Sequence, residues 1–171
     1  MRARGGFGFP NLTDAEWQWG GDYTSIETTI RGGRTAAMPA WGSALGDAGV
    51  ADMAQYVLSL SGAAHDEAAA TRAAPQFQTF CIACHGADAK GNPAFGAPDL
   101  TNDTWLYGGD ADSIAFTIRY GRNGMMPNFA TTLGDDRIAI VAAYVSGLHP
   151  VAAQPTTAPQ PAAAQASGAS P

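Results

Sequence analysis

Residues 81–85 read Cys-Ile-Ala-Cys-His, and Cys81 and Cys84 are the only cysteines in the chain. CxxCH is the attachment pattern of a c-type haem: each thiol forms a thioether to a vinyl group, and the adjacent His85 sits under the iron. Two cysteines three apart on a helical turn point the same way, as double attachment requires. Two other chemistries use such pairs. A thioredoxin-type CxxC sits near a βαβ pattern, and no strand–helix alternation is visible in this sequence. A structural zinc site takes four N or S ligands, and neither His65 nor His149 stands at zinc-ligand spacing from the cysteines.

An electron-carrying haem of this type needs a second axial ligand, and a thioether there raises the reduction potential. Met126, followed by Pro127, is the expected ligand, with Met125 its rival; Met-Pro recurs at Met38-Pro39, where Ala37 stands in the place of Met125. The carbonyl of Pro98 is a candidate acceptor for Nδ1–H of His85, which would fix the tautomer with Nε2 toward the iron. Leu100 would then pack on the ring, although a proline turn alone would account for both residues. Arg119 and Arg122 match carboxylate geometry and are candidate propionate partners; as surface arginines they would need no explanation. Trp105 and Tyr107 would donate to a propionate or close the edge of the pocket.

These residues must be positioned by few elements. Asp112–Tyr120 carries Ile114, Thr117 and Ile118 at helical spacing, with Gly121 after it. Asp135–Leu148 has an apolar stripe at Ile138, Val141, Ala142, Val145 and Leu148. Ala74–Cys81 reads as a short helix with Pro75 in its first turn, and 86–110 reads as a long loop. Shifting the chain by 88 lays Phe7–Leu60 on Phe95–Leu148 without a gap, with 26 of 54 positions identical. This is a tandem duplication. The expected organisation is all-α, with a partial domain at 1–60 lacking CxxCH, a linker at 61–74, a complete haem domain at 75–149 and a disordered Pro/Ala-rich tail at 150–171. The counterpart of His85 would fall ahead of Met1, so the first copy reads as a domain whose attachment helix is missing. The apolar face of Val50–Leu60 is therefore expected to lie uncovered. His65 reads as a solvated linker residue and His149 as a helix-end cap.

Composition narrows the classes further. The 171 residues carry a net charge of −6 with 14% charged residues, which argues against nucleic acid as a partner and leaves no polybasic membrane patch. No run approaches the roughly 20 apolar residues of a spanning helix, and Met-Arg-Ala-Arg-Gly-Gly is not a signal peptide. Since haem attachment of this kind takes place outside the bacterial cytoplasmic membrane, a signal or anchor is expected in the complete protein.

The chain resembles class I cytochrome c domains, and more narrowly the dihaem subunit (subunit III) of cbb-type haem–copper cytochrome c oxidases. The resemblance rests on FGFPNLTDAEWQWGGDYTSIETTIRGGRTAAMPAW in the first copy, and on CIACHGADAKGNPAFGAPDLTNDTWLYGG with IRYGRNGMMPNF in the second. It implies a module on the periplasmic side of the membrane, anchored by an N-terminal helix absent here. Such a module passes electrons from a cytochrome c donor to the oxidase catalytic subunit, alongside a monohaem subunit, without an active site of its own. By position it implies His85 and Met126 as iron ligands, Cys81 and Cys84 as thioether points, one haem c here and two in the full-length protein. It also implies that Phe77 packs near Tyr144. The alternatives are a free-standing soluble periplasmic carrier and a peroxidase with an open iron position.

Overall fold

The computed structural model describes residues 3–148; His149 and the tail lie outside the described residues. Its elements are α1 (Tyr23–Gly32), β1 (Arg34–Met38), α2 (Gly42–Leu60), α3 (Glu67–Phe80), α4 (Ile82–His85), α5 (Ala111–Tyr120), β2 (Arg122–Met126), α6 (Ala130–Leu133) and α7 (Asp135–Ser146). The fold is mostly helical and compatible with a cytochrome c fold. It departs from the all-α expectation in its two short strands, which pair antiparallel.

Local rules set most boundaries. Asp22 and Asp110 cap α1 and α5 by accepting from the N–H of Ser25 and Ser113, which satisfies a donor that a helix start leaves open. Asp66 accepts from Ala68 and Ala69. That cap starts α3 inside the stretch expected as linker, where Glu67–Ala74 is rich in strong helix formers. Pro75 consequently lies in the helix interior rather than its first turn. His65 bonds the carbonyl of Ala63 at 2.7 Å and Glu67 at 2.9 Å, so it is tied into the start of α3 rather than solvated.

Packing runs across the repeat. Helix α2 lies along α3 and α5, while α1 lies along α7. One core joins Val50, Met53, Ala54 and Val57 of α2 to Phe77 of α3, Leu100, and Ile114 and Ile118 of α5. The other joins Ile26 and Ile30 of α1 to Ile138 and Ala142 of α7. The face of Val50–Leu60 expected to be bare is thus covered: Val50 and Met53 are fully buried. The exposed apolar face belongs to α7, with Ile140, Val141 and Tyr144 open. Phe77 stacks against Tyr56, with ring centroids 5.0 Å apart, and not against Tyr144. Tyr56 and Tyr144 are equivalent in the two repeats, so the sequence pattern permits either contact; the structure uses the one from the first copy. Among the described residues no helix is long and apolar enough to cross a membrane.

The ribbon lies between these two cores. Its register is Arg34↔Met126, Ala36↔Gly124 and Met38↔Arg122, a pairing that is two-fold symmetric under the 88-residue shift. Phe77→Ala should cost about 3–5 kcal/mol, whereas Tyr144→Ala should stay within about 0.5 kcal/mol. A double-mutant cycle in denaturant should give Tyr56 and Phe77 a coupling of about 0.5–1.5 kcal/mol; coupling of Phe77 to Tyr144 instead would refute the observed packing.

Candidate functional site

Helix α3 delivers the CxxCH turn. Cys81 ends it, donating its N–H to the carbonyl of Phe77 at 2.9 Å, and the chain then turns through α4 with His85 N–H donating to the carbonyl of Cys81 at 2.9 Å. Phe77, one turn earlier, is buried in the core and so anchors the helix that carries the site. Cys81 and Cys84 are free thiols, each half-buried. Burial pushes the Cys81 thiol up to about 11, so it stays protonated at neutral pH.

His85 is buried, and its Nδ1 stands 3.1 Å from the carbonyl oxygen of Pro98. With Nδ1–H donating to that carbonyl, Nε2 carries the free lone pair, and among the described residues it makes no hydrogen bond. Burial pulls the imidazole below the ordinary histidine range, opposed by the Pro98 bond. A neutral, oriented imidazole next to two thiols on one turn has the donor set of a covalently held haem.

The loop after His85 holds Pro98 in place. Gly91 donates its N–H to the carbonyl of His85 at 2.8 Å. It has φ +81°, and a Cβ there would stand 2.4 Å from the carbonyl oxygen of Ala97. Only glycine lets the two arms of the loop cross this closely. Leu100 then donates its N–H to the carbonyl of Ala89 at 2.8 Å and enters the core. Sequence reasoning passed over Gly91; the available signal was a Lys-Gly-Asn-Pro turn beside the histidine.

The remaining candidates separate. Trp105 is half-buried against the core that holds Leu100, and its indole N–H has no acceptor among the described residues. Arg119 is paired with Asp47 across the repeat. Arg122 bonds Thr117 Oγ1 through Nε and Nη2 at 3.0 and 2.8 Å, and its guanidinium lies 4.3 Å over the ring of Tyr107. Met125 is 77% exposed and Met126 36% exposed. Met126 lines a groove with Gly33 and Arg34 at the end of α1, at the opposite end of the ribbon from Arg122. Met38, which belongs to the copy without a CxxCH, is half-buried against the core containing Leu100 and bordering Cys81 and Ile82.

The family model described as cytochrome c oxidase, cbb3-type, subunit III matches residues 3–57 and 68–145. The chain is 41% identical over 157 residues to the cbb3-type cytochrome c oxidase subunit CcoP of Cereibacter sphaeroides, covering 85% of this chain and 54% of that one. It is 44% identical over 147 residues to the CcoP of Rubrivivax gelatinosus, covering 85% and 48%. To the FixP subunit of Azorhizobium caulinodans it is 42% identical over 153 residues, covering 84% and 52%. The chain thus spans about half the length of these curated relatives.

Gly91→Ala should displace the Pro98 carbonyl and cost more than about 1 kcal/mol, read by chemical unfolding. Because folding lowers the pKa of His85, the unfolded haem-free chain binds the extra proton. Its stability contribution is therefore present above about pH 6.5 and falls as the pH drops below it. Denaturant titrations across this range should show that slope in haem-free protein and lose it once Nε2 is coordinated.

Proposed function

From a chain that belongs to the family of subunit III of cbb3-type cytochrome c oxidases, we propose an electron-transfer module carrying one covalent haem c on Cys81 and Cys84, with His85 as proximal ligand. The observation that carries this is the buried His85 with Nδ1 tied to the Pro98 carbonyl, on the same turn as two half-buried thiols. The haem, when bound, supplies a one-electron couple at iron.

The protein's own residues do the rest. The thiols would hold the haem covalently, and the Pro98 bond keeps the imidazole neutral and turned so that Nε2 is free to bind the iron. Leu100 and Trp105 form an apolar wall that excludes water from the ring. Trp105 offers its unspent indole N–H to a propionate, and Arg122 offers Nη1, which has no hydrogen-bond partner among the described residues. Arg119 is spent on Asp47 and is withdrawn from that role. A thioether from one of the two Met-Pro pairs, Met38-Pro39 or Met126-Pro127, would complete the haem's protein ligands. A ligand set unchanged on reduction keeps reorganisation small.

In this reading the donor is a cytochrome c and the acceptor is the oxidase catalytic subunit, with the monohaem subunit as neighbour. The module works on the periplasmic side of the bacterial cytoplasmic membrane. No nucleic acid takes part. The family match and the relatives named as oxidase subunits favour this over a free-standing soluble carrier.

The test is haem stoichiometry with electron delivery. Pyridine haemochrome and intact mass should give one covalent haem on Cys81 and Cys84, abolished by Cys81→Ser with Cys84→Ser. The reduced protein should be oxidised by the oxidase core within a turnover. Covalent haem surviving the double substitution, or failure to reduce the core, refutes the reading.

A further inference from the structure

The carbonyl that meets His85 Nδ1 lies in the peptide plane shared by Pro98 and Asp99, so the chain on either side of it must be held. On the Pro98 side the backbone does this: Asn92 and Ala97 exchange hydrogen bonds at 3.0 and 3.2 Å beside the close crossing at Gly91. On the Asp99 side the work falls to side chains. Asp99 Oδ1 accepts from Thr101 N–H and from Thr101 Oγ1, both at 2.7 Å. Lys90 Nζ, from the outgoing arm of the loop, donates to Thr101 Oγ1 and stands 3.4 Å from Asp99 Oδ2. The three side chains thus close a ring in which the hydroxyl donates to the carboxylate and accepts from the ammonium.

Part of this ring recurs in the first copy. There Asn11 Oδ1 accepts from Thr13 N–H at 3.0 Å and from Thr13 Oγ1 at 2.8 Å. Asn11 and Thr13 are the counterparts of Asp99 and Thr101 under the 88-residue shift. The turn therefore forms with a neutral amide, and the negative charge of Asp99 is surplus to it. What the charge adds is the tie to Lys90, which joins the outgoing arm of the loop to the returning one. Burial raises the Asp99 carboxyl, but the bonds from Thr101 and Lys90 outweigh it and hold the group below the ordinary carboxylate range. The charge is thus present at neutral pH. The Lys90 side chain is 58% exposed, and an ion pair so placed adds little stability. Stability alone does not account for it.

We propose that Lys90 and Asp99 are positioning residues for the haem: their tie holds the Pro98–Asp99 peptide plane so that its carbonyl stays on His85 Nδ1. This rests on the haem attachment proposed above. A firm Nδ1–H···O bond makes the imidazole a more basic ligand. A more basic ligand favours ferric iron, so the tie lowers the reduction potential. Loosening the tie from either end frees the same carbonyl, whichever charge is removed. Charge acting alone behaves differently: loss of a carboxylate raises a potential, and loss of an ammonium lowers it.

The experiment compares Asp99→Asn, Lys90→Met and Lys90→Arg with the wild type in the haem-loaded full chain, with haem content measured on each. Asn11 shows that the turn accepts an amide, and Lys90 is exposed, so neither change disturbs the core. The readouts are the midpoint of a redox titration and the solvent exchange of the His85 Nδ1 proton, followed by NMR of the reduced protein. Asp99→Asn and Lys90→Met should both raise the potential and speed the exchange several-fold, with the unfolding midpoint little changed. Lys90→Arg, which keeps a charged donor, should stay near the wild type in both readouts. Potential shifts of opposite sign in Asp99→Asn and Lys90→Met, or exchange unchanged in both, overturn the positioning role while leaving the haem reading intact. A wild-type chain without covalent haem overturns both.

Discussion

The antiparallel pairing of Arg34–Met38 with Arg122–Met126 is the contact on which the rest of the molecule turns. Each strand begins at a glycine that ends a helix and finishes at a Met-Pro pair that starts the approach to the next one. Because the strands run in opposite directions, a chain that enters the ribbon beside its own core leaves it beside the other. The destination of both last helices, and of both methionines, is settled in five residue pairs. Ladder hydrogen bonds satisfy backbone groups that would otherwise have to be met by loops or water, and Gly33 and Gly121 admit the carbonyl of the incoming segment at distances no Cβ would allow.

The two repeats are alike in pattern and unequal in environment. Helix α2 is covered by both α3 and α5, whereas among the described residues the long helix packed on α7 is α1. Equivalent positions consequently have opposite fates: Tyr56 packs on Phe77, and Tyr144 stands in solvent. The CxxCH turn benefits from the fuller side, since the helix that carries it is pinned by Phe77 within the larger core.

What could be read from the sequence was what is local. The helix over 112–120 followed from its apolar spacing and from Gly121 after it, and the turn around His85 from five consecutive residues. The proline whose carbonyl meets Nδ1 lies thirteen residues on, within one loop. The ribbon was not legible. Arg-Thr-Ala-Ala-Met and Arg-Asn-Gly-Met-Met have no apolar alternation to mark a strand, and the pairing joins residues more than 80 apart. Nor could periodicity choose between the two last helices for Phe77, because they carry the same stripe. That choice depends on tertiary contacts made by the other repeat. The early start of α3 was missed for a simpler reason: an alanine-rich segment with few large apolar residues reads as linker until its cap at Asp66 is given weight.

The packing of α1 against α7 also constrains the order in which the chain can assemble. Helices α2 and α3 are neighbours along the chain, joined by a short turn, and form a hairpin that can close early at small loop entropy. The α1 core has to wait for residues near the opposite end, since Ile26 and Ile30 are buried by Ile138 and Ala142. Contacts of such long sequence separation are slow to form. During synthesis or export from the N-terminus, the apolar stripe of α1 therefore remains open until almost the whole described chain has emerged.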